Sequence, residues 1–154
     1  VAISFEQAAD GATSDNDDTV QIGLKYSMEA AGATIGLGIG YADAGSQTAA
    51  GITGDTNGMG ISLSVASGNL TGVLNYSDGE VLGIDASHVA LGIGVTMDAL
   101  TIGVNWGEFD TDNVKANGVG LAVNYNLGGG AVFQLGYGDG EGVDTMSMGL
   151  ALSF

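Results

Sequence analysis

This sequence of 154 residues has no cysteine, no proline and only two basic residues, and its charged side chains amount to 13%, against roughly 25% in ordinary globular chains. Most of these shortages remove a class of protein. Lys25 and Lys115 stand against 18 acidic residues, for a formal net charge of −16, which excludes nucleic-acid binding because that needs Lys and Arg to displace counterions. The absence of cysteine suits an oxidising compartment, where stray thiols are a liability. No run of about 18 apolar residues occurs, which excludes a transmembrane helix. No basic stretch followed by an apolar one opens the chain, so a secretory signal is not among these residues.

What the chain has is alternation. In its last ten residues, TMSMGLALSF, Met146, Met148, Leu150, Leu152 and Phe154 alternate with Thr145, Ser147, Gly149, Ala151 and Ser153. A period of two predicts a strand with one greasy and one small, water-tolerant face. The same period recurs in nine earlier segments, such as Val20 to Met28, Ala33 to Tyr41 and Val119 to Leu127. The expectation is a single all-β domain over residues 1–154, a transmembrane antiparallel up-and-down β-barrel with ten strands in view. Connections are expected to be long after odd strands and short after even ones, the habit of outer-membrane barrels. Strands of about nine residues at about 3.3 Å each, tilted about 40°, span roughly 23 Å, close to the apolar band of such barrels.

The aromatic residues point the same way. Nine of the ten fall on the apolar face near strand ends. Phe5, Tyr41, Tyr76, Trp106 and Tyr137 are assigned to the loop-side rim. Tyr26, Tyr125, Phe133 and Phe154 are assigned to the turn-side rim. Two girdles with aliphatic residues between them suit the two membrane–water interfaces, whereas a soluble β-core places its bulkiest rings centrally.

The opposite face is mostly Gly, Ala, Ser, Thr and Asn. Fourteen in-strand glycines lie on it, each costing a sheet roughly 0.5–1 kcal/mol. A soluble sandwich or Gly-rich solenoid is the competing reading, but its outer face would carry long polar and charged side chains. A small, polar inner wall predicts a wide pore, with Glu6, Lys25, Asn75, His88, Asn105, Asn124 and Gln134 as its pore-lining polar residues. The acidic stretches Asp15 to Asp18 and Asp139 to Asp144 offer hard oxygen ligands for Ca²⁺, but match no EF-hand or nonapeptide repeat, so no cofactor is expected. His88 follows Asp85 by three residues, which on a strand puts them on opposite faces. No catalytic set is evident, and the chain is not expected to be an enzyme.

The stretch GVGLAVNYNLGGGA (Gly118 to Ala131) and the terminal MGLALSF resemble the C-terminal part of the general diffusion porins of Rhodobacter-type alphaproteobacteria. That resemblance implies a sixteen-stranded barrel in the bacterial outer membrane, usually a homotrimer in contact with lipid and lipopolysaccharide, through which ions and small hydrophilic solutes diffuse. Ten strands would be its C-terminal portion, and Phe154 resembles the family's assembly signal. A complete ten-stranded barrel with a surface-binding or adhesin role is the alternative, although the loops lack the large apolar tips of a recognition surface.

Overall fold

The computed structural model describes residues 2–6, 16–112 and 114–153, without the side chains of Ile3, Phe5 and Glu6. Phe154, Asp15 and the side chains of Phe5 and Glu6, all named above, therefore lie outside the described residues. The strands are β1 (Ala2–Glu6), β2 (Thr19–Ala30), β3 (Ala33–Ala49), β4 (Ile52–Ser67), β5 (Leu70–Val81), β6 (Ile84–Met97), β7 (Leu100–Thr111), β8 (Lys115–Gly128), β9 (Ala131–Gly140) and β10 (Val143–Leu152). Each lies antiparallel to the next in one sheet whose spatial order is the sequence order. From β2 to β10 it is a continuous nine-stranded meander, with the short β1 paired along the outer edge of β2.

Register follows from the alternation. Leu24 pairs with Ile39, Ile39 with Ile61, and Ile61 with Tyr76, so apolar residues form unbroken rows on one face. A slip of one residue would turn every side chain of a strand over, and would put Leu and Ile among the glycines. Among the described residues no hydrophobic side chain is buried. The apolar rows cover the outside of the sheet and have nothing packed on them.

The connections differ from expectation. Those after β3, β5 and β9 are not long loops but two-residue turns, Ala50-Gly51, Leu82-Gly83 and Glu141-Gly142, like Ala31-Gly32 on the other side. In all four the first residue has φ near +50° and the glycine near +77°, the backbone of the type I′ hairpin turn. The strands simply continue past the apolar band. β3 and β4 do so furthest, paired from Ser46↔Asp55 to Ala49↔Ile52 after a register shift beyond Asp43.

Both edges of this projecting hairpin are covered. On one side Asp17 N–H donates to Ser46 O at 3.0 Å, Ser46 N–H donates to Asp17 Oδ2 at 2.8 Å, and Thr48 N–H donates to Asn16 Oδ1 at 2.8 Å. On the other, Gly83 N–H donates to Asp55 O at 2.8 Å and Leu82 N–H to Thr56 Oγ1 at 3.1 Å. At the far end of the sheet β10 pairs only with β9, and every described residue in it is exposed.

Candidate functional site

The face opposite the apolar rows is the candidate site. Because side chains alternate strictly along each strand, Lys25, Asn75, His88, Asn105, Asn124 and Gln134 all point to this one face, as the pairings Lys25↔Gly38, Asn75↔Ala90, Asn105↔Gly120 and Asn124↔Gln134 require. A hollow of about 990 Å³ lies against it, and Lys25, Asn75 and His88 share that hollow with Gln21, Ser62 and Ser77. Asn105, Asn124 and Gln134 are on the same face but outside the hollow. Asp85 and His88, three apart in β6, occupy opposite faces. Among the described residues no group of three or more potential metal ligands forms.

Phe109 escaped the sequence reading. Among the described residues it is the one aromatic off the apolar register, and it stands directly opposite His88 on the small-residue face, where both line the hollow. The signal was available, since nine aromatics obeyed one parity and this one broke it. Val73 and Val132 are further apolar residues on this side.

The rims are more regular than the sequence suggested. Tyr41, Tyr76, Trp106 and Tyr137 lie on the apolar face of alternate strands, each followed two residues on by an acid on the same face: Asp43, Asp78, Glu108 and Asp139. Tyr41 Oη donates to Asp43 at 3.2 Å and Tyr76 Oη to Asp78 at 3.3 Å. The cross-strand row through Tyr41 runs through Met59 to Asp78, the row through Tyr76 runs through Val89 to Glu108, and the row through Trp106 runs through Val119 to Asp139. Each aromatic is thus two residues lower in register than its predecessor two strands earlier. On the turn side Tyr125 and Phe133 are direct partners. Tyr26 and Tyr125 are not the last apolar residues of their strands, because Met28 and Leu127 follow.

Among the acidic stretches, Asp17 and Asn16 are engaged by backbone N–H groups of β3, and Glu141 Oε1 accepts from Asn117 N–H at 3.0 Å. Beyond Trp106, Lys115 Nζ meets Glu108 Oε1 at 2.8 Å and Asp110 Oδ2 at 3.4 Å. The hydrogen bond that Lys115 donates to Glu108, with that carboxylate's charge, holds the Lys115 ammonium above its usual pKa. The hairpin ends also carry exposed aliphatics, Ile52, Val81 with its partner Ile84, Val114 and Val143, where tips without large apolar side chains were expected. They flank turns that alternation alone assigned to loops.

An antiparallel meander with one greasy face, one small-residue face and, among the described residues, no buried core is the strand arrangement found in outer-membrane barrel proteins. Residues 1–145 match the profile of the Gram-negative porin family, and the chain belongs to that family, an integral protein of the bacterial outer membrane. Two solved structures share the fold. The crystal structure of Acinetobacter baumannii OccAB4 superposes with a TM-score of 0.66 at 13% identity, over 87% of this chain and 44% of that one. A loop L8 deletion mutant of OmpT, an outer membrane protein of Vibrio cholerae, gives 0.58 at 17% identity, over 90% of this chain and 55% of that one. The chain therefore spans about half the length of these structural relatives. No curated protein sequence matches it significantly. Membership of a porin family points to a channel rather than an enzyme.

Proposed function

We propose that this chain builds part of the wall of a water-filled outer-membrane channel through which ions and small hydrophilic solutes diffuse passively, without cofactor or turnover. The observation that carries this is the division of the two faces. Large apolar side chains from every strand of the meander are exposed on one face, such as Leu24 at 51% and Leu150 at 56%, while the other offers small and polar groups to a hollow. Lipid satisfies the first face and water the second.

The aromatic offsets support a level rim on a tilted sheet. If Tyr41, Tyr76, Trp106 and Tyr137 sit at one membrane depth, the stagger is one residue per strand. A rise of about 3.3 Å per residue over a strand spacing of about 4.8 Å corresponds to a tilt of about 35°, within the range of membrane barrels. The nine residues from Val20 to Met28 then cover about 24 Å of bilayer.

Closure needs more than these strands. An open edge in hydrocarbon leaves backbone N–H and C=O groups without partners, each costing several kcal/mol. The ten-residue edge of β10 is twice the length of β1 (five residues), so β1 as described does not cover it. Further strands complete the barrel in this reading, toward the sixteen that the Rhodobacter-type resemblance implies, in a homotrimer surrounded by lipid and lipopolysaccharide. With a net charge of −16, the channel prefers cations by enrichment at its mouth. Planar-bilayer recording tests the reading. Stepwise openings in threes, with reversal potentials toward cation preference across a salt gradient, are the expected result. A purified protein that inserts without conducting would overturn the channel, and anion preference would overturn the electrostatics.

A further inference from the structure

The glycines of the small-residue face are not equally empty. A methyl group built on Gly94 or Gly103 would meet a backbone carbonyl at 3.8 or 3.9 Å and nothing nearer, an ordinary contact. On six others it would strike a side chain from the neighbouring strand. It would reach Ser62 Oγ at 2.5 Å from Gly38, Ser147 Oγ at 2.9 Å from Gly136, Thr145 Oγ1 at 3.2 Å from Gly138 and His88 Nε2 at 3.3 Å from Gly107. From Gly36 it would collide with Ser64 Oγ, and from Gly120 with Asn105 Oδ1, the Cγ of that asparagine lying at 3.2 Å.

Five of the six pairs are direct register partners. The sixth, His88 over Gly107, is diagonal, because the direct partner of His88 is Phe109. These six polar side chains therefore lie sideways across the wall, each in a space that a Cβ on the next strand would fill. A general need for small residues does not explain why the covered glycines sit opposite the polar residues.

We infer that these glycines are recesses that fold the polar side chains down against the wall, so that Gly107 and Gly120 are positioning residues for His88 and Asn105. This deepens the channel reading, since it rests on the small-residue face being the lumen. A side chain that lies flat keeps its polar atoms available to passing solutes while leaving the bore open. A side chain displaced from its recess rotates into the passage. At Gly107 and Gly120 the backbone is extended with no positive φ, and the obstructing atoms are the ends of rotatable side chains. Valine, a good strand former, is accommodated there by rotation of the neighbour rather than by unfolding.

The test compares Gly120→Val and Gly107→Val with Gly94→Val, which adds the same volume to the same wall without displacing a side chain. Single-channel conductance is expected to fall further in the first two than in the third, and equal losses would overturn the inference. A second measurement does not depend on conduction. Cysteine introduced by Asn105→Cys is expected to react faster with a water-soluble thiol reagent when Gly120→Val is also present, and at an unchanged rate with Gly94→Val. Equal rates in all three backgrounds would overturn the recess. A parent that conducts no ions strikes the channel reading alone, and the labelling still decides whether Gly120 holds residue 105 down.

Discussion

Ile52 and Ile61 lie on the same strand, β4, and are almost equally exposed, at 53% and 50%, yet in the channel reading they belong to different solvents. Ile61 sits within the apolar run from Met59 to Val65, one position from its middle, in a row with Ile39 and Tyr76. Ile52 follows the turn at the tip of the projecting hairpin, past the last aromatic and past Asp55. The edges of the two halves are treated accordingly. In water, the upper hairpin is flanked by residues 16–18 on one side and by the Leu82-Gly83 turn on the other, each donating or accepting backbone hydrogen bonds. Within the apolar band the outer edges of β3 and β4 are instead sealed by β2 and β5. Fractional exposure alone says nothing about cost. What matters is whether the surroundings can hydrogen-bond and hydrate.

The largest effect expected from this comparison is Ile61→Arg. On the lipid side near the bilayer middle, arginine costs about 2–4 kcal/mol, and denaturant unfolding of the lipid-reconstituted protein should show it. Ile52→Arg should stay within about 0.5 kcal/mol, as exposed substitutions in water do. Equal losses would mean that the two halves of β4 share one environment and that the facing assignment is wrong.

A smaller effect belongs to the upper half alone. A Cβ on Gly54 would collide with the Leu82 carbonyl and stand 2.7 Å from Gly83 N, so the obstruction is backbone and has no side chain to rotate away. Gly54→Val is expected to cost about 1–3 kcal/mol by overpacking, confined to the contact between the two hairpins. Amide exchange of Gly83, whose N–H is bonded to Asp55 O, should accelerate while that of Leu63 stays protected. Unchanged exchange at Gly83 would show that the hairpins are not held together at this point.

The same division explains what the sequence revealed. Strands with lipid on one face and water on the other must alternate, so β2, β8 and the lower half of β3 could be read from residues such as Leu24, Leu37 and Val123, along with their facing. Residues 43–57 have water on both sides, so nothing forces a period of two on Asp43 to Thr53, and a paired hairpin there looked like a loop. The Ala50-Gly51 step was its local mark, as Leu82-Gly83 and Glu141-Gly142 were for two other hairpins, since a glycine second in a two-residue turn is the type I′ signature. The polar side chains that face the hollow were legible by parity. Their recesses were not, because Gly120 and Asn105 are fifteen residues apart in sequence and meet only through the β7–β8 register.

The smallest effect expected lies where the two environments meet. Lys115 bridges Glu108 and Asp110 just beyond Trp106, with more than half of its own side chain exposed, so solvent screening leaves the pair little influence on global stability. Its pH dependence has a definite sign nonetheless. The folded-state pKa is raised above the ordinary 10.5 by the bond to Glu108 and by its charge. The contribution is therefore complete below that ordinary value and is lost as pH rises through the folded one. Lys115→Met should melt slightly below the parent at pH 7 to 9 by an unchanging margin, and the gap should close in strongly alkaline solution. High salt should also narrow it, since exposed charges are screened within about 10 Å at 0.1 M. A gap that persists unchanged in strong alkali and in high salt would mean that the charge of Lys115 is not what Glu108 and Asp110 act on. The acids that follow each rim aromatic would then have to be treated as a charge belt independent of this lysine.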